Sequence, residues 1–387
     1  MTKIIHILPH NIEDFMAGDY HNFDHHLVRF LVKVNQFQQQ GHPQAVLQQE
    51  LWVVSKKLKK IEEIQHEKGF QVKLFPISLK LPLPLEISFP LMRAVWQQAK
   101  QTGIIWHLHS YYLWMNDFLS LILAIKKRPF LVHFRGGGFS NSARGFLYSL
   151  FHHLIGLRFS LGLAKLAFIQ NQDEIKRVRQ WRLANPSKII YFPNSIPLSE
   201  IKPKQNFSFP KEQGLKTIIA GRIAKITRRK ENLQILQMIL ADYPSFYLAI
   251  IGLKEKNPEL EELKNTFPER FILAPWLNKK ELLEKMRQAD LLLYITEREG
   301  SPMGLIEAQS QGLPVISFDT EGVRDIIKND FNGYLVNNIQ ELPIKIRELL
   351  GNPQKLRMFS QNAVENIKKN FIDEKYFPKL IDVYLNK

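Results

Sequence analysis

The chain has 387 residues, enough for two or three domains that each bury a core of their own. With 45% apolar residues, 23% charged residues and a mean hydropathy of −0.20, it reads as globular and excludes a disordered chain. The absence of cysteine excludes disulfide scaffolds, thiolate metal sites and cysteine nucleophiles and fits a reducing compartment, while 53 Lys and Arg against 37 Asp and Glu leave a surplus of 16.

In chain order, short apolar runs predict strands at 4–8, 45–47, 72–75, 104–107, 130–134, 167–169 and 189–191. Helical patterns fall between them at 24–40, 56–68, 88–101, 112–126, 144–158 and 172–182, and the basic run 56–60 reads as a solvated helix face. Pro193, Pro197, Pro203 and Pro210 then mark a boundary. Beyond it, strands are expected at 217–220, 247–251, 271–273, 291–295 and 315–317. Helices fill 231–241, 258–266, 279–288, 304–311 and 322–328, and from Pro353 onward the pattern is helical only, over 354–369 and 373–385. This alternation indicates an α/β chain with parallel sheets covered on both faces: two Rossmann-like domains and a helical C-terminal tail.

The charge is uneven. Residues 1–195 hold 24 basic and 12 acidic side chains and residues 196–387 hold 29 and 25, so the surpluses are 12 and 4. All 12 histidines lie in the first half, the last being His153. The basic half calls for an anionic partner: nucleic acid, a membrane surface or a phosphorylated substrate. Residues 1–10 show no charged leader before a long apolar core, so no signal peptide is expected. The stretches 104–125 and 144–165 are too interrupted to span a bilayer. The second reads either as a core helix, the preferred reading, or as a basic, aromatic helix lying in a membrane interface.

In open α/β sheets ligands bind beyond the carboxyl ends of the strands, so the loops there carry the chemistry. The segment Thr296-Glu297-Arg298-Glu299-Gly300-Ser301-Pro302-Met303-Gly304-Leu305-Ile306-Glu307-Ala308 follows a predicted strand and opens a helix. Gly300 and Gly304 allow close backbone approach, and the helix start near Met303 and Leu305 offers N–H groups and a positive dipole end to an anion. Glu299 and Glu307 add acceptors suited to vicinal hydroxyls. The alternative is that Glu307 merely opposes the helix dipole and Glu299 is a solvated loop residue. After the first strand of this half come Gly221-Arg222, then Lys225, Arg228, Arg229 and Lys230, cations placed as a phosphate subsite would need them.

Glu299 and Glu307, eight positions apart in Glu-Gly-Ser-Pro…Glu-Ala and followed by Gly312-Leu313-Pro314-Val315-Ile316, resemble the signature of family-4 retaining glycosyltransferases with the GT-B fold. Gly221-Arg222…Lys230 resembles their diphosphate-binding Gly-Arg…Lys, and Thr296 stands at the usual Ser position. Glu321-Gly322-Val323-Arg324-Asp325 is similar to the Gly-Gly-x-x-Glu segment, and Pro193-Asn194-Ser195-Ile196 to the Pro-Asn-Gly-Val that closes the first domain. The resemblance implies two Rossmann-like domains facing across a cleft: 1–195 for the acceptor, 196–352 for a nucleotide sugar, and helices over 353–387 packing back towards the first domain. It assigns Arg222 and Lys230 to the donor diphosphate, with Arg228 or Arg229 able to substitute for Lys230, and Glu307 to the ribose. Glu299 and the stretch Gly300, Ser301, Pro302, Met303, Gly304 and Leu305 would contact the transferred sugar and phosphate. Trp276 and Leu277 would line the base.

On the acceptor side, the loop after the first strand keeps only Gly18 where the family has a Gly-Gly pair. Residues 130–134 lead into Arg135-Gly136-Gly137-Gly138, an adaptable anion-binding loop. Relatives often place His-Gly where Arg135-Gly136 stands, and His133 shares that strand face, so His133 and Arg135 join the catalytic candidates, with Gly136, Gly137, His109 and Asn194 on the acceptor side. His21, His25 and His26 with Asp24, and His107 with His109, are weak as metal sets, and no metal is expected. The expected activity is metal-independent retaining transfer from a UDP- or GDP-sugar to a saccharide or lipid-linked acceptor, without a cofactor. The expected location is the cytoplasm, at the inner face of a membrane. The competing readings are a GT-B-like nucleotide-sugar-binding protein without transferase activity, and a basic nucleic-acid binder lacking a readable motif.

Overall fold

The computed structural model describes residues 2–12, 26–81, 85–110, 114–135, 150–203, 215–220, 230–253, 257–296 and 299–386. The chain divides into two compact units, residues 1–193 with 375–387 and residues 194–374. It therefore passes from one unit to the other twice, at Pro193/Asn194 and at Glu374/Lys375.

The first unit runs β1 (Thr2–Asn11), α1 (His26–Gly41), β2 (Leu47–Ser55), β3 (Glu62–Gln65), β4 (Gln71–Pro76), and a small hairpin of β5 (Leu79–Leu81) and β6 (Leu85–Ile87). It continues with α2 (Phe89–Gln98), β7 (Ile104–Ser110), α3 (Trp114–Ile125) and β8 (Phe130–Phe134). A π-helical turn, His152–Gly156, then runs into α4 (Leu157–Leu163), followed by β9 (Leu166–Ile169), α5 (Gln172–Gln180) and β10 (Ile189–Tyr191). Eight strands form one sheet in the order β10-β9-β8-β7-β1-β2-β4-β3, parallel except for β3. Alternation along each strand sorts the side chains onto two faces. Ile5, Ile7, Trp106, Leu108, Phe130 and Val132 meet α2, α3 and α4. Ile4, Leu8 and Leu131 meet α1 and the last helix of the chain.

The sequence pattern fails between 45 and 68. The strand there is β2, nine residues long, and the expected helix over 56–68 is instead a turn, with 56–60 outside any helix, followed by β3. Gln48, Gln49 and Glu50 interrupt the apolar run and hide the strand. Two of them are buried yet satisfied: Glu50 pairs with Lys3 at 2.6 Å and accepts from Trp52 Nε1 at 3.0 Å, and Gln49 is held by three partners described below. The helical pattern placed at 144–158 is described only from residue 150 and extends to Leu163. Its inward face is core, with His152, His153, Leu157 and Leu161 buried, while its outward apolar face is exposed.

The second unit runs β11 (Leu215–Ala220), α6 (Lys230–Asp242), β12 (Phe246–Leu253), α7 (Pro258–Thr266), β13 (Phe271–Pro275), α8 (Lys279–Gln288) and β14 (Leu291–Tyr294). Then come α9 (Met303–Ser310), β15 (Val315–Phe318), α10 (Val323–Ile326), β16 (Gly333–Val336), α11 (Leu342–Leu350), α12 (Pro353–Asn370) and α13 (Asp373–Leu385). The sequence pattern passes over β16 and α11. Six parallel strands form the sheet in the order β13-β12-β11-β14-β15-β16. This is the 3-2-1-4-5-6 winding, whose direction reverses between β11 and β14, and ligands gather beyond the strand ends at such a reversal. In the first unit the reversal lies between β1 and β7. From residue 375, α13 seals the first unit through Tyr376, Phe377, Leu380, Ile381 and Tyr384.

Candidate functional site

At the reversal point of the second unit, β14 ends and the chain turns through Thr296, Glu299, Gly300, Ser301 and Pro302 into α9. Several contacts fix this turn. Thr296 Oγ1 donates to Glu299 Oε1 at 3.0 Å. The Asn194 backbone N–H donates to Ser301 Oγ at 3.0 Å, and its side-chain amide donates to the Ser301 carbonyl at 2.6 Å. Gly322, just before α10, lies directly against the turn, with φ at +75°; a Cβ there would fall 2.1 Å from the Gly300 carbonyl oxygen. Only glycine fits, both for its backbone angle and for the space.

Pro302 is the N-cap of α9 and its side chain makes no hydrogen bond to the helix, whose positive dipole end lies at Met303 and Gly304. Glu307 sits further along α9 and is buried, and Lys279 at the start of α8 lies 3.8 Å from its Oε1. Lys279 also pairs with Glu200 at 2.7 Å, so one ammonium serves two carboxylates. Trp276 and Leu277 stand between β13 and α8, with the indole exposed and Asn278 closing a capping box with Glu281. The structure thus brings Glu299, Gly300, Ser301, Pro302, Met303, Gly304, Leu305 and Glu307 into one turn and helix. Arg222, Arg228 and Arg229 lie outside the described residues, as do Gly18, Gly136, Gly137, His21, Asp24 and His25; Lys230 opens α6, and nothing is described of its side chain or that of His26.

The first unit's reversal point holds a second cluster. His6 of β1, His107 and His109 of β7, and His133 of β8 lie on the face under α1 and α13, all buried, with Arg135 just past β8. A hydrogen-bond chain sets the tautomers. The Gln49 amide donates to the Leu31 carbonyl at 3.0 Å and to Asn35 Oδ1 at 2.6 Å, so its oxygen is the acceptor facing His6 Nε2 at 3.0 Å. His6 therefore carries its proton on Nε2 and accepts at Nδ1 from His109 Nε2, 3.1 Å away. His107 Nδ1 meets Tyr384 Oη of α13 at 2.6 Å. Burial holds all three rings neutral, lowering His6 from 6.5 to about 3 and His107 and His109 well below their usual value, with Arg135 pushing the same way.

One ring nitrogen from each of His6, His107 and His109 lies within 4.8 Å of the others, close enough for the three to hold a metal ion together. The three are neutral imidazoles engaged with Gln49, Tyr384 and one another, with the Arg135 guanidinium beside them. His6 was not legible as a member, because it stands alone in an apolar strand. Its signal is the shared face with His107, its register partner on β7. Lys279 also escapes a sequence reading, since only the packing of α8 beside α9 brings it to Glu307.

Residues 201–366 match the family model of glycosyl transferases group 1. The chain is similar to the UDP-Gal:alpha-D-GlcNAc-diphosphoundecaprenol alpha-1,3-galactosyltransferase of Escherichia coli, 25% identical over 238 residues that cover 57% of this chain and 60% of that one. The chain therefore spans less than two thirds of that relative's length. Among solved structures it is similar to sucrose-phosphate synthase from Thermosynechococcus elongatus, with a TM-score of 0.70 at 16% identity over 100% of this chain and 99% of that one. Anabaena Alr3699/HepE, solved with UDP-glucose, gives 0.67 at 13% identity over the whole of both chains. The fold is GT-B.

Proposed function

We propose that the chain is a glycosyltransferase of the family-4 retaining type, moving a sugar from a nucleoside-diphosphate sugar to a saccharide or lipid-linked acceptor. The observation that carries this reading is the turn between β14 and α9, where Glu299, the N-terminus of α9 and Glu307 follow one another at the reversal point of a domain that matches glycosyl transferases group 1. Residues 196–352 take the donor, residues 1–195 the acceptor, and the helices over 353–387 complete the chain. A UDP-sugar is favoured over a GDP-sugar by the name of the Escherichia coli relative and by the UDP-glucose held in Anabaena Alr3699/HepE.

Cleavage of the sugar–phosphate bond leaves negative charge on the departing diphosphate. Arg222, Lys230 with Arg228 or Arg229, and the N-terminus of α9 stabilise that charge electrostatically, which makes a metal unnecessary. Glu307 accepts from the ribose hydroxyls, its carboxylate steadied by Lys279, while Trp276 and Leu277 flank the base. Glu299 and the 300–305 backbone hold the transferred sugar and its phosphate. The acceptor hydroxyl attacks from the side of the leaving group, which takes its proton, so configuration is retained. His133, Arg135, His109 and Asn194, with the glycines 136 and 137, shape the acceptor side, and a lipid-linked acceptor places the chain at the cytoplasmic face of a membrane.

The test is turnover of a panel of UDP- and GDP-sugars, read as released nucleoside diphosphate, alongside nucleotide-induced thermal shifts. Glu307→Ala and Arg222→Ala should each weaken donor binding about tenfold to a hundredfold, as expected for loss of charge-assisted hydrogen bonds. The absence of both turnover and a thermal shift with every nucleotide sugar would sink the reading. A thermal shift without turnover would favour a GT-B-like binding protein instead.

A further inference from the structure

One face of the first unit's sheet is covered by α2, α3 and α4, packed inward through Leu91, Val95, Leu119, Leu123, Leu157 and Leu161. Their outward side is unusual for a globular surface. Along the helical stretch 150–163, five large apolar side chains from Phe151 to Leu163 are between 37% and 54% exposed. Ile125 on α3 and Trp96 on α2 extend the apolar surface to the neighbouring helices. Stripes of this size on a soluble surface mark an interaction site.

The orientation is locked from inside. Asp117 of α3 and His152 form a buried pair at 2.7 Å. The helix accommodates it only because residue 156 is glycine: a Cβ there would lie 2.5 Å from Asp117 Oδ2 and 2.6 Å from His152 Cδ2. The π-helical turn His152–Gly156 sits at this pair. With His152, Gly156 and Ser160 turned inward, Leu154, Ile155 and Phe159 are directed outward.

The charge around the stripe has one sign. On α2, α3 and α4 and the turns just after them stand seven Lys and Arg, at 93, 100, 126, 127, 128, 158 and 165, and a single acidic residue, Asp117, which is the one buried against His152. Lys100, Lys127 and Lys165 are exposed just past the C-terminal ends of α2, α3 and α4, and Arg93 and Arg158 are exposed within α2 and α4. A protein-binding patch is depleted in lysine, whereas apolar and aromatic side chains flanked by cations suit an anionic lipid surface. Among the described residues no helix is long and apolar enough to cross a membrane, so such contact would be interfacial.

We propose that the outward face of α2, α3 and the 150–163 helix docks on an anionic lipid bilayer, with Leu154, Ile155 and Phe159 entering the headgroup boundary and the surrounding cations meeting lipid phosphates. This deepens the acceptor half of the reading above and rests on it for its purpose, but the surface is testable without any reaction. The full chain is mixed with vesicles of phosphatidylglycerol and phosphatidylcholine, or of phosphatidylcholine alone, and floated on a gradient. Binding is expected only to the anionic vesicles, weakening as salt rises from 50 to ~300 mM because surface charges are screened. Leu154→Glu with Phe159→Glu should lower the partition coefficient about tenfold or more, and Arg158→Glu with Lys165→Glu should lower it by a similar factor. Ile344→Glu, an exposed apolar position on α11, should leave binding unchanged. Equal binding to neutral vesicles, no binding to anionic ones, or unaltered binding by both double variants would each overturn the proposal. So would a dimer in sedimentation that the Leu154/Phe159 variant converts to monomer while vesicle binding stays absent, since the stripe would then join two copies. Nucleotide-induced thermal shift, measured on every variant, reports folding and donor binding separately, so a failed membrane result is distinguishable from a failed transferase reading.

Discussion

The imidazoles at the first unit's reversal point make a prediction with a definite sign. His6 ionises near pH 6.5 when unfolded but only near about 3 when folded, and His107 and His109 are lowered in the same sense by burial. Below pH 6.5 the unfolded chain takes up protons that the folded chain refuses, so their contribution is fully present above that pH and is lost as pH falls towards 3. Each such histidine adds about 1.4 kcal/mol per pH unit to the slope of stability. Urea midpoints measured between pH 8 and 5 should therefore fall steeply below 6.5, before carboxylates begin to titrate. His6→Gln should reduce the slope by about one proton, and a flat profile down to pH 5 would show that the cluster is open to water. The sequence displayed His107 and His109 as a pair, but not the Gln49 chain that fixes their tautomers, because that chain joins residues of β1, β2, β7 and α1.

Elements were readable where packing and local pattern agree. The helices over 258–266, 279–288 and 373–385 have the bounds that periodicity and caps suggest, and the strands with unbroken apolar runs lie where expected. The pattern failed at β2, where buried polar side chains serve neighbours distant in sequence, and at the short β16. In the candidate site, the glutamates and glycines were legible as a motif, but the wedge formed by Gly322 under Glu299 and Gly300 was visible only as a glycine before a helix. Gly322→Ala should force apart the turn before α9 and the segment before α10, at a cost of about 2 kcal/mol for strain and overpacking. Its functional signature is weaker nucleotide binding at temperatures where the variant is still folded. Wild-type binding by a folded Gly322→Ala protein would show that the turn does not depend on this wedge.

At the scale of the molecule, residues 375–387 belong to the unit that begins the chain, and Tyr376, Phe377, Leu380, Ile381 and Tyr384 are all buried there. Removing them uncovers the face of β1, β7 and β8 that carries the histidines. With roughly 2 to 3 kcal/mol for each of these five side chains withdrawn from water, the loss is comparable to the whole stability of an ordinary domain. A chain ending at Glu374 should therefore show protease cleavage within α1 under conditions where the full chain resists, and supplying a peptide of residues 375–387 should restore protection. Resistance without the peptide would show that α13 only decorates a finished core.

The double passage between units also imposes an order in time. The two crossing segments are tied together inside the second unit, where Ile196 bridges Ile372 and Ser195 Oγ donates to Asp373 at 2.6 Å. A ribosome that has made the first 193 residues must add residues 194–374 before it reaches α13, which at about 5 to 20 residues per second takes roughly 10 to 40 s. For that interval the earlier-born unit waits with an open flank while its later-born neighbour receives every residue it needs. Of the two units, the one translated earlier is thus the last that can close, and until α13 emerges the nascent chain exposes an apolar, histidine-bearing flank.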